Sequence, residues 1–267
     1  MIFSSSVIAL LMLAIPCVGR LSSSRGGSAR FWATRPYWVL AGIALLLVSL
    51  TLRGVATGAW PLASVQGGLQ SVAVLVGVGW VILRRSERME AAGIILLAIA
   101  ALLVSASLVE HEHVGNPGSL SLYVASHLGL TFVGLGSFAL SFALSGLFLF
   151  QRRQLKAKNL ADIQELPSLD TLDRLNARTQ GIGFVALTVG IAMGLFEAIA
   201  TESDRGMSGP TFWGTVLVWI WYAVGLLARL LSGWRGRNAA IFGLVGFGAF
   251  GIIIGLAVLM NGGWHGV

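Results

Sequence analysis

Long apolar blocks separated by short polar punctuation run the whole length of this chain. The blocks lie near Ile2–Gly19, Tyr37–Leu52, Pro61–Leu83, Ala91–Val109, Leu120–Phe150, Ile182–Ala200, Phe212–Leu231 and Ala239–Met260. A soluble core would spread its apolar residues at period 2 or 3.6, whereas these are contiguous. A run of about 17–25 apolar residues spans a bilayer, since each helical residue rises about 1.5 Å across about 30 Å of hydrocarbon. Lipid offers no partners to backbone N–H and C=O groups, and the blocks are too long for barrel strands, so each block reads as a helix. The pattern predicts an all-α polytopic membrane protein with eight transmembrane helices in one membrane domain, residues 1–267.

Lys and Arg orient the helices, because cytoplasmic loops retain them. Alternate connections hold Arg20, Arg25, Arg30 and Arg35, then Arg84, Arg85 and Arg88. Next come Arg152, Arg153, Lys156, Lys158, Arg174 and Arg178, and finally Arg229, Arg235 and Arg237. Only Arg53 and Arg205 fall on the opposite side. The first block lacks a basic leader and its arginines all follow it, which fits an uncleaved helix rather than a signal peptide. Both termini are therefore expected on the outer, periplasmic side of a bacterial inner membrane. One substantial cytoplasmic connection remains, Gln151–Arg178. Its middle, from Leu166 to Leu175, reads as a capped amphipathic helix lying at the interface.

Composition supports this picture and closes other avenues. Hydrophobic residues make up 56% of the 267 and charged residues only 11%, too few to cover a soluble surface. The net charge of +7 would suggest nucleic acid in a soluble protein; here the basic residues mark helix ends, so no nucleic-acid partner is expected. The single cysteine, Cys17, excludes an internal disulfide and any Cys–Cys metal motif. Ala14-Ile15-Pro16-Cys17 is a poor lipidation signal, with Pro16 where a small residue belongs. The 35 glycines fall largely inside the blocks, as in Gly190-x-x-x-Gly194, where small residues let lipid-embedded helices approach; the expected role is packing.

Polar chemistry has few places to reside. The topology sets all four histidines, His111, His113, His127 and His265, at or near the outer face. Imidazole is a favoured ligand of haem iron, so two outer histidines on different helices would clamp an iron from opposite sides; equally, each ring is comfortable at an interface. Glu110-His111-Glu112-His113 lacks a third metal ligand and reads as a solvated acidic loop. Glu197 is the one acid inside a block, placed to snorkel to water or to orient an imidazole. Trp213, Trp234 and Trp264 suit interfacial belts, while the deeper Trp219 and Trp221 either line a flat apolar pocket or pack. No Ser–His–Asp order, paired intramembrane carboxylates or HExxH motif is present, so no catalytic residue is assigned.

At the seventh block the sequence becomes specific. Trp219-Ile220-Trp221-Tyr222-Ala223-Val224-Gly225-Leu226-Leu227-Ala228-Arg229, followed by Gly233-Trp234-Arg235-Gly236-Arg237-Asn238-Ala239-Ala240, closely resembles the cytochrome c assembly protein family, in its CcsA and HemX-like branch. Trp60-Pro61-Leu62-Ala63-Ser64, Ser126-His127-Leu128 and Leu166-Pro167-Ser168-Leu169-Asp170-Thr171-Leu172-Asp173-Arg174-Leu175-Asn176 agree in order. The similarity runs over residues 60–267, and its most specific parts are Gly-Trp-Arg-Gly-Arg and Leu-Pro-Ser-Leu-Asp-Thr-Leu.

The resemblance implies haem handling at the outer membrane face in c-type cytochrome biogenesis, with haem b held between His127 and His265. The deeper Trp219 and Trp221, if they line a flat apolar pocket, are then the candidate cofactor-contacting aromatics. The lipid bilayer and another biogenesis membrane subunit or apocytochrome c become the implied partners. The chain departs from the family pattern in three places. Gly206-Met207-Ser208-Gly209-Pro210 stands where a tryptophan-rich WxWDP motif is usual, Leu227 replaces an inner-leaflet histidine, and Gln66-Gly67-Gly68 replaces an acid. These departures point to an assembly component rather than a complete synthase. The alternative they leave is a haem-free HemX-like regulator or scaffold of tetrapyrrole metabolism, acting through its cytoplasmic loop.

Overall fold

The computed structural model describes residues 5–14, 35–58, 64–84, 89–109, 122–158, 166–200 and 210–261. Eight helices are present among them, and no strand. They are α1 (Ser5–Ala14), α2 (Arg35–Thr57), α3 (Val65–Leu83), α4 (Glu90–Val109), α5 (Leu122–Lys156), α6 (Leu169–Ala200), α7 (Pro210–Leu231) and α8 (Arg237–Asn261). Five of these, α2, α3, α5, α6 and α7, are long and apolar enough to cross a membrane. The further apolar stretches Ser5–Ala14, Ala92–Leu108 and Arg237–Ile252 are shorter. Cys17, Arg20, Arg25, Arg30, Trp60, the Glu110–His113 loop, residues 206–209, Trp264 and His265 lie outside the described residues.

Each apolar block has become a helix, and the differences lie at the ends. The second block was expected to stop at Leu52, before Arg53, yet α2 runs on to Thr57. Arg53 is only 3% exposed and donates from Nη1 to Gln66 Oε1 of α3 at 2.6 Å, so its charge is folded inward and the helix need not end there. Ser64 caps α3 by accepting from Gly67 N at 3.0 Å.

The larger difference is at the Gln151–Arg178 connection, most of which is helical. α5 continues to Lys156, and the segment expected as a separate interfacial helix is the opening of α6. Its cap is where the sequence places it: Ser168 Oγ accepts from Thr171 N at 3.2 Å. The helix then proceeds without a break into the sixth apolar block. At about 1.5 Å per residue α5 and α6 are roughly 50 Å long, well beyond the hydrocarbon thickness, so a polar first third is compatible with one continuous helix.

Two apolar clusters hold the bundle. The larger joins Leu13 of α1, Leu46 of α2, Val76 and Trp80 of α3, Leu96 and Leu97 of α4, and Leu144 and Leu147 of α5. The smaller joins Phe138 of α5, Leu187 of α6 and Tyr222 of α7. Phe138 and Tyr222 stack with ring centroids 3.6 Å apart. Buried polar side chains bridge the first four helices: Gln70 Nε2 of α3 donates to Ser6 Oγ of α1 and Ser107 Oγ of α4, while Ser6 and Ser49 of α2 are 2.9 Å apart. Away from water such pairs fix which helix faces meet, since an unmatched polar group in a dry interior is costly.

Candidate functional site

The most extensive helix pair, α5 with α6, sets the surroundings of the one described histidine. Along α5 the positions 127, 131, 134, 138, 141 and 145 recur at alternating steps of four and three. Positions 194, 190, 187, 183, 180 and 176 of α6 do the same in reverse order. This is the spacing of an antiparallel coiled-coil seam. A Cβ on Gly183 would stand 2.7 Å from Phe138 Cε1, and one on Gly134 would stand 3.2 Å from the Gly183 carbonyl oxygen. The seam is therefore closed by backbone contact at its centre. Its lower part is polar: Ser141 Oγ donates to Asn176 Oδ1 at 2.6 Å, and Gln180 Nε2 donates to Ser141 Oγ at 3.1 Å. Gly243 of α8 packs on that group, where a Cβ would lie 2.7 Å from Gln180 Nε2.

His127 occupies the far end of this seam. Its ring is half-buried, with Nδ1 2.6 Å from the carbonyl oxygen of Gly190. The imidazole lies flat against Gly194, whose missing Cβ would sit 2.8 Å from both Cε1 and Nδ1. No described residue is bonded to Nε2. The Gly190 carbonyl orients the ring; Glu197 lies half-buried about two turns beyond Gly190 on α6. Along α5, His127 is 25 residues from Arg152, which separates the imidazole from the basic end of the helix by about 37 Å.

The two tryptophans are placed elsewhere. Trp219 Nε1 donates to Thr188 Oγ1 at 2.8 Å and its ring stacks on Phe184 with centroids 5.6 Å apart. Thr188 and Gly190 are two residues apart, roughly 200° around the helix, so Trp219 and His127 sit on different faces of α6. Trp221 turns the other way, toward α8. It stacks on Phe242 with centroids 4.3 Å apart and donates from Nε1 to the Phe242 carbonyl at 3.2 Å. A Cβ on Gly246 would collide with the Trp221 indole, so this glycine admits the ring. The structure thus separates Trp219 and Trp221 from each other and from His127, and uses both to hold α7 against its neighbours.

Opposite the histidine, the two most specific sequence segments touch. Arg229, at the end of α7, donates to Asp173 of α6 from Nη1 at 3.1 Å and from Nη2 at 2.5 Å. The same carboxylate accepts from Gly236 N at 2.9 Å. Gly233 and Gly236 have φ of +65° and +62°, the left-handed backbone that glycine adopts without strain. Gly-Trp-Arg-Gly-Arg is thus a turn whose glycines set the backbone, and Leu-Pro-Ser-Leu-Asp-Thr-Leu-Asp supplies the acid that holds it. Nothing in the spacing of either segment reveals this pairing, because 56 residues separate Asp173 from Arg229.

Residues 43–265 match the family model described as cytochrome C assembly protein. The chain is 35% identical over 108 residues to the cytochrome c biogenesis protein CcsA of Thermosynechococcus vestitus, covering 39% of this chain and 32% of that one. It is 34% identical over 102 residues to the protein of that name from Synechococcus elongatus, covering 38% and 31%. With the one from Mesostigma viride it shares 37% over 76 residues, covering 28% and 25%. The aligned stretch spans about a third or less of the length of these curated relatives. No solved structure matches. The family model takes in α3 to α8 whole, with the His127 seat and the Asp173–Arg229 contact among them, and this membrane protein belongs to the cytochrome c assembly protein family.

Proposed function

We propose that this chain is a haem-handling component of c-type cytochrome biogenesis, with His127 as an axial ligand at the outer face of a bacterial inner membrane. The observation that carries the reading is the placement of His127: half-buried at the end of α5 opposite the basic cluster, with Nδ1 engaged and no described residue bonded to Nε2. The 16-to-2 division of Lys and Arg supports eight crossings with both ends outside. His265 is the second ligand of the proposal, on the strength of the family resemblance alone.

The donor set fits a haem. No group of three or more His, Cys, Asp or Glu side chains gathers among the described residues, as a bare metal ion would ask of the protein. A porphyrin brings four nitrogens of its own and asks for only one or two axial imidazoles. Haem b, when bound, supplies the iron and the vinyl groups that become thioether links in a c-type cytochrome. The chain's own part is to hold and orient an imidazole on a rigid seam. Trp219 and Trp221 serve that rigidity by anchoring α7 to α6 and α8.

The test is complementation in the native host. Deletion of the gene should abolish covalently haem-stained c-type cytochromes. The wild-type chain should restore them, and His127→Ala should restore fewer than about one tenth, since losing even the partner behind a ligating histidine costs about 10–100-fold. Full restoration by His127→Ala would refute the reading. A second reading, a haem-free scaffold of tetrapyrrole metabolism, has one observation in its favour: the ends of α5 and α6 carry exposed charge, including the Asp170–Arg174 pair at 3.1 Å. It predicts that charge reversal at Asp170 and Arg174 impairs function while His127→Ala does not.

A further inference from the structure

The Gly190-x-x-x-Gly194 pair looks in sequence like a helix-packing motif, yet the side chain it admits is an imidazole. In a helix the side chain at i+4 projects back over the carbonyl at i. A residue with a side chain at position 194 would therefore cover the Gly190 carbonyl. Glycine leaves that oxygen open, and the His127 ring lies in the gap, with 2.8 Å between Nδ1 and the Cβ position of Gly194. The Gly190 oxygen already serves the helix ladder, and its second lone pair is free for a side-chain donor. Gly190 is held at close range as well, since a Cβ there would meet Thr131 Oγ1 at 3.0 Å and the His127 carbonyl oxygen at 3.4 Å.

We propose that Gly190 and Gly194 are positioning residues that lock His127 in its Nδ1–H tautomer and aim the Nε2 lone pair out of the seam. A carbonyl oxygen only accepts, so the 2.6 Å contact requires the proton on Nδ1. In a neutral imidazole Nε2 then carries the lone pair, the form that ligates a metal. A backbone acceptor behind a ligating histidine fixes both tautomer and ring direction, and its loss typically lowers metal affinity by about 10–100-fold. The purpose assigned to this lock rests on the haem-handling reading; the lock itself does not.

The experiment is nitrogen-15 NMR of histidine-labelled, haem-free protein in detergent, with the His127 signal assigned by its absence from His127→Ala. Wild type should show Nδ1–H and a bare Nε2, and Gly194→Ala should lose that preference. Gly181→Ala on the same helix, where an added Cβ meets nothing within 4 Å, should behave as wild type. Haem titration of the same three proteins should show Gly194→Ala weaker by about tenfold or more. A wild-type signal from the Nε2–H tautomer overturns the proposal without recourse to any variant. So does Gly194→Ala matching Gly181→Ala in both readouts. A tautomer that is locked and Gly194-sensitive in a protein that binds no haem upholds the lock and refutes the haem reading instead.

Discussion

Replacing Asp173 by alanine should lower the stability of the detergent-solubilised protein by about 3 kcal/mol, the cost of removing one partner of a largely buried ion pair. The carboxylate and the Arg229 guanidinium are only 12% and 16% exposed, so water does little to replace the lost contact. The same change strands the Gly236 N–H, which donates to Asp173 at 2.9 Å. Asp173→Asn keeps an acceptor for that N–H and should fall between the two. Chemical denaturation followed by tryptophan fluorescence measures the difference, with Trp234 close to the altered turn. A loss in Asp173→Ala no larger than that of an exposed-charge variant such as Asp170→Ala would show that the contact does not tie α6 to the α7–α8 turn.

The second large effect is expected at the centre of the α5–α6 seam. Gly183→Leu must place a side chain where Phe138 Cε1 and Ser137 Cβ already lie within 3.0 Å of the Cβ position. Overpacking of this kind costs about 1–3 kcal/mol, and occasionally more where neighbours cannot yield. Here one neighbour is Phe138, pinned by its stack on Tyr222, so the helices themselves must separate. Gly181→Leu, two residues earlier and facing open space, is the matched control. Thermal unfolding in detergent should show Gly183→Leu well below wild type and Gly181→Leu near it. Equal behaviour of the two would mean that the seam is not closed by backbone contact.

Much of the fold is legible in the sequence because lipid leaves a chain few choices. Eight apolar blocks predict eight helices, and eight are described, with ends displaced by the local chemistry of particular residues. Arg53 reads as a boundary because a charge near lipid is expensive, yet Gln66 lies one helix away to receive it. Leu166–Leu175 reads as a separate amphipathic helix because polarity changes at Ile182. Backbone hydrogen bonding is indifferent to that change, and the helix runs through it. The five helices of full spanning length follow from their own residues, whereas eight crossings with both ends outside is a proposal that the charge alternation supports.

The site is less legible, for a physical reason. Which polar side chains meet is decided between helices, by contacts that span dozens of residues. His127 was identifiable as a candidate from its type and place. Its partner was not, because a backbone carbonyl has no sequence signature and the glycines that expose it resemble ordinary packing glycines. A signal was present in the four-three spacing shared by positions 127–145 and 176–194, which sets the histidine opposite Gly190 and Gly194. Trp219 and Trp221 drew attention as a pair because they are close in sequence. Two residues apart on a helix, however, they face different neighbours, Thr188 and Phe242.

The central claim, that His127 serves haem, is tested most directly by the visible absorption spectrum of wild type and His127→Ala purified side by side from haem-replete membranes. The account predicts a Soret band in the wild-type protein and its loss, or a clear shift and weakening, in His127→Ala. A colourless wild-type protein, or the same band in both, would contradict it.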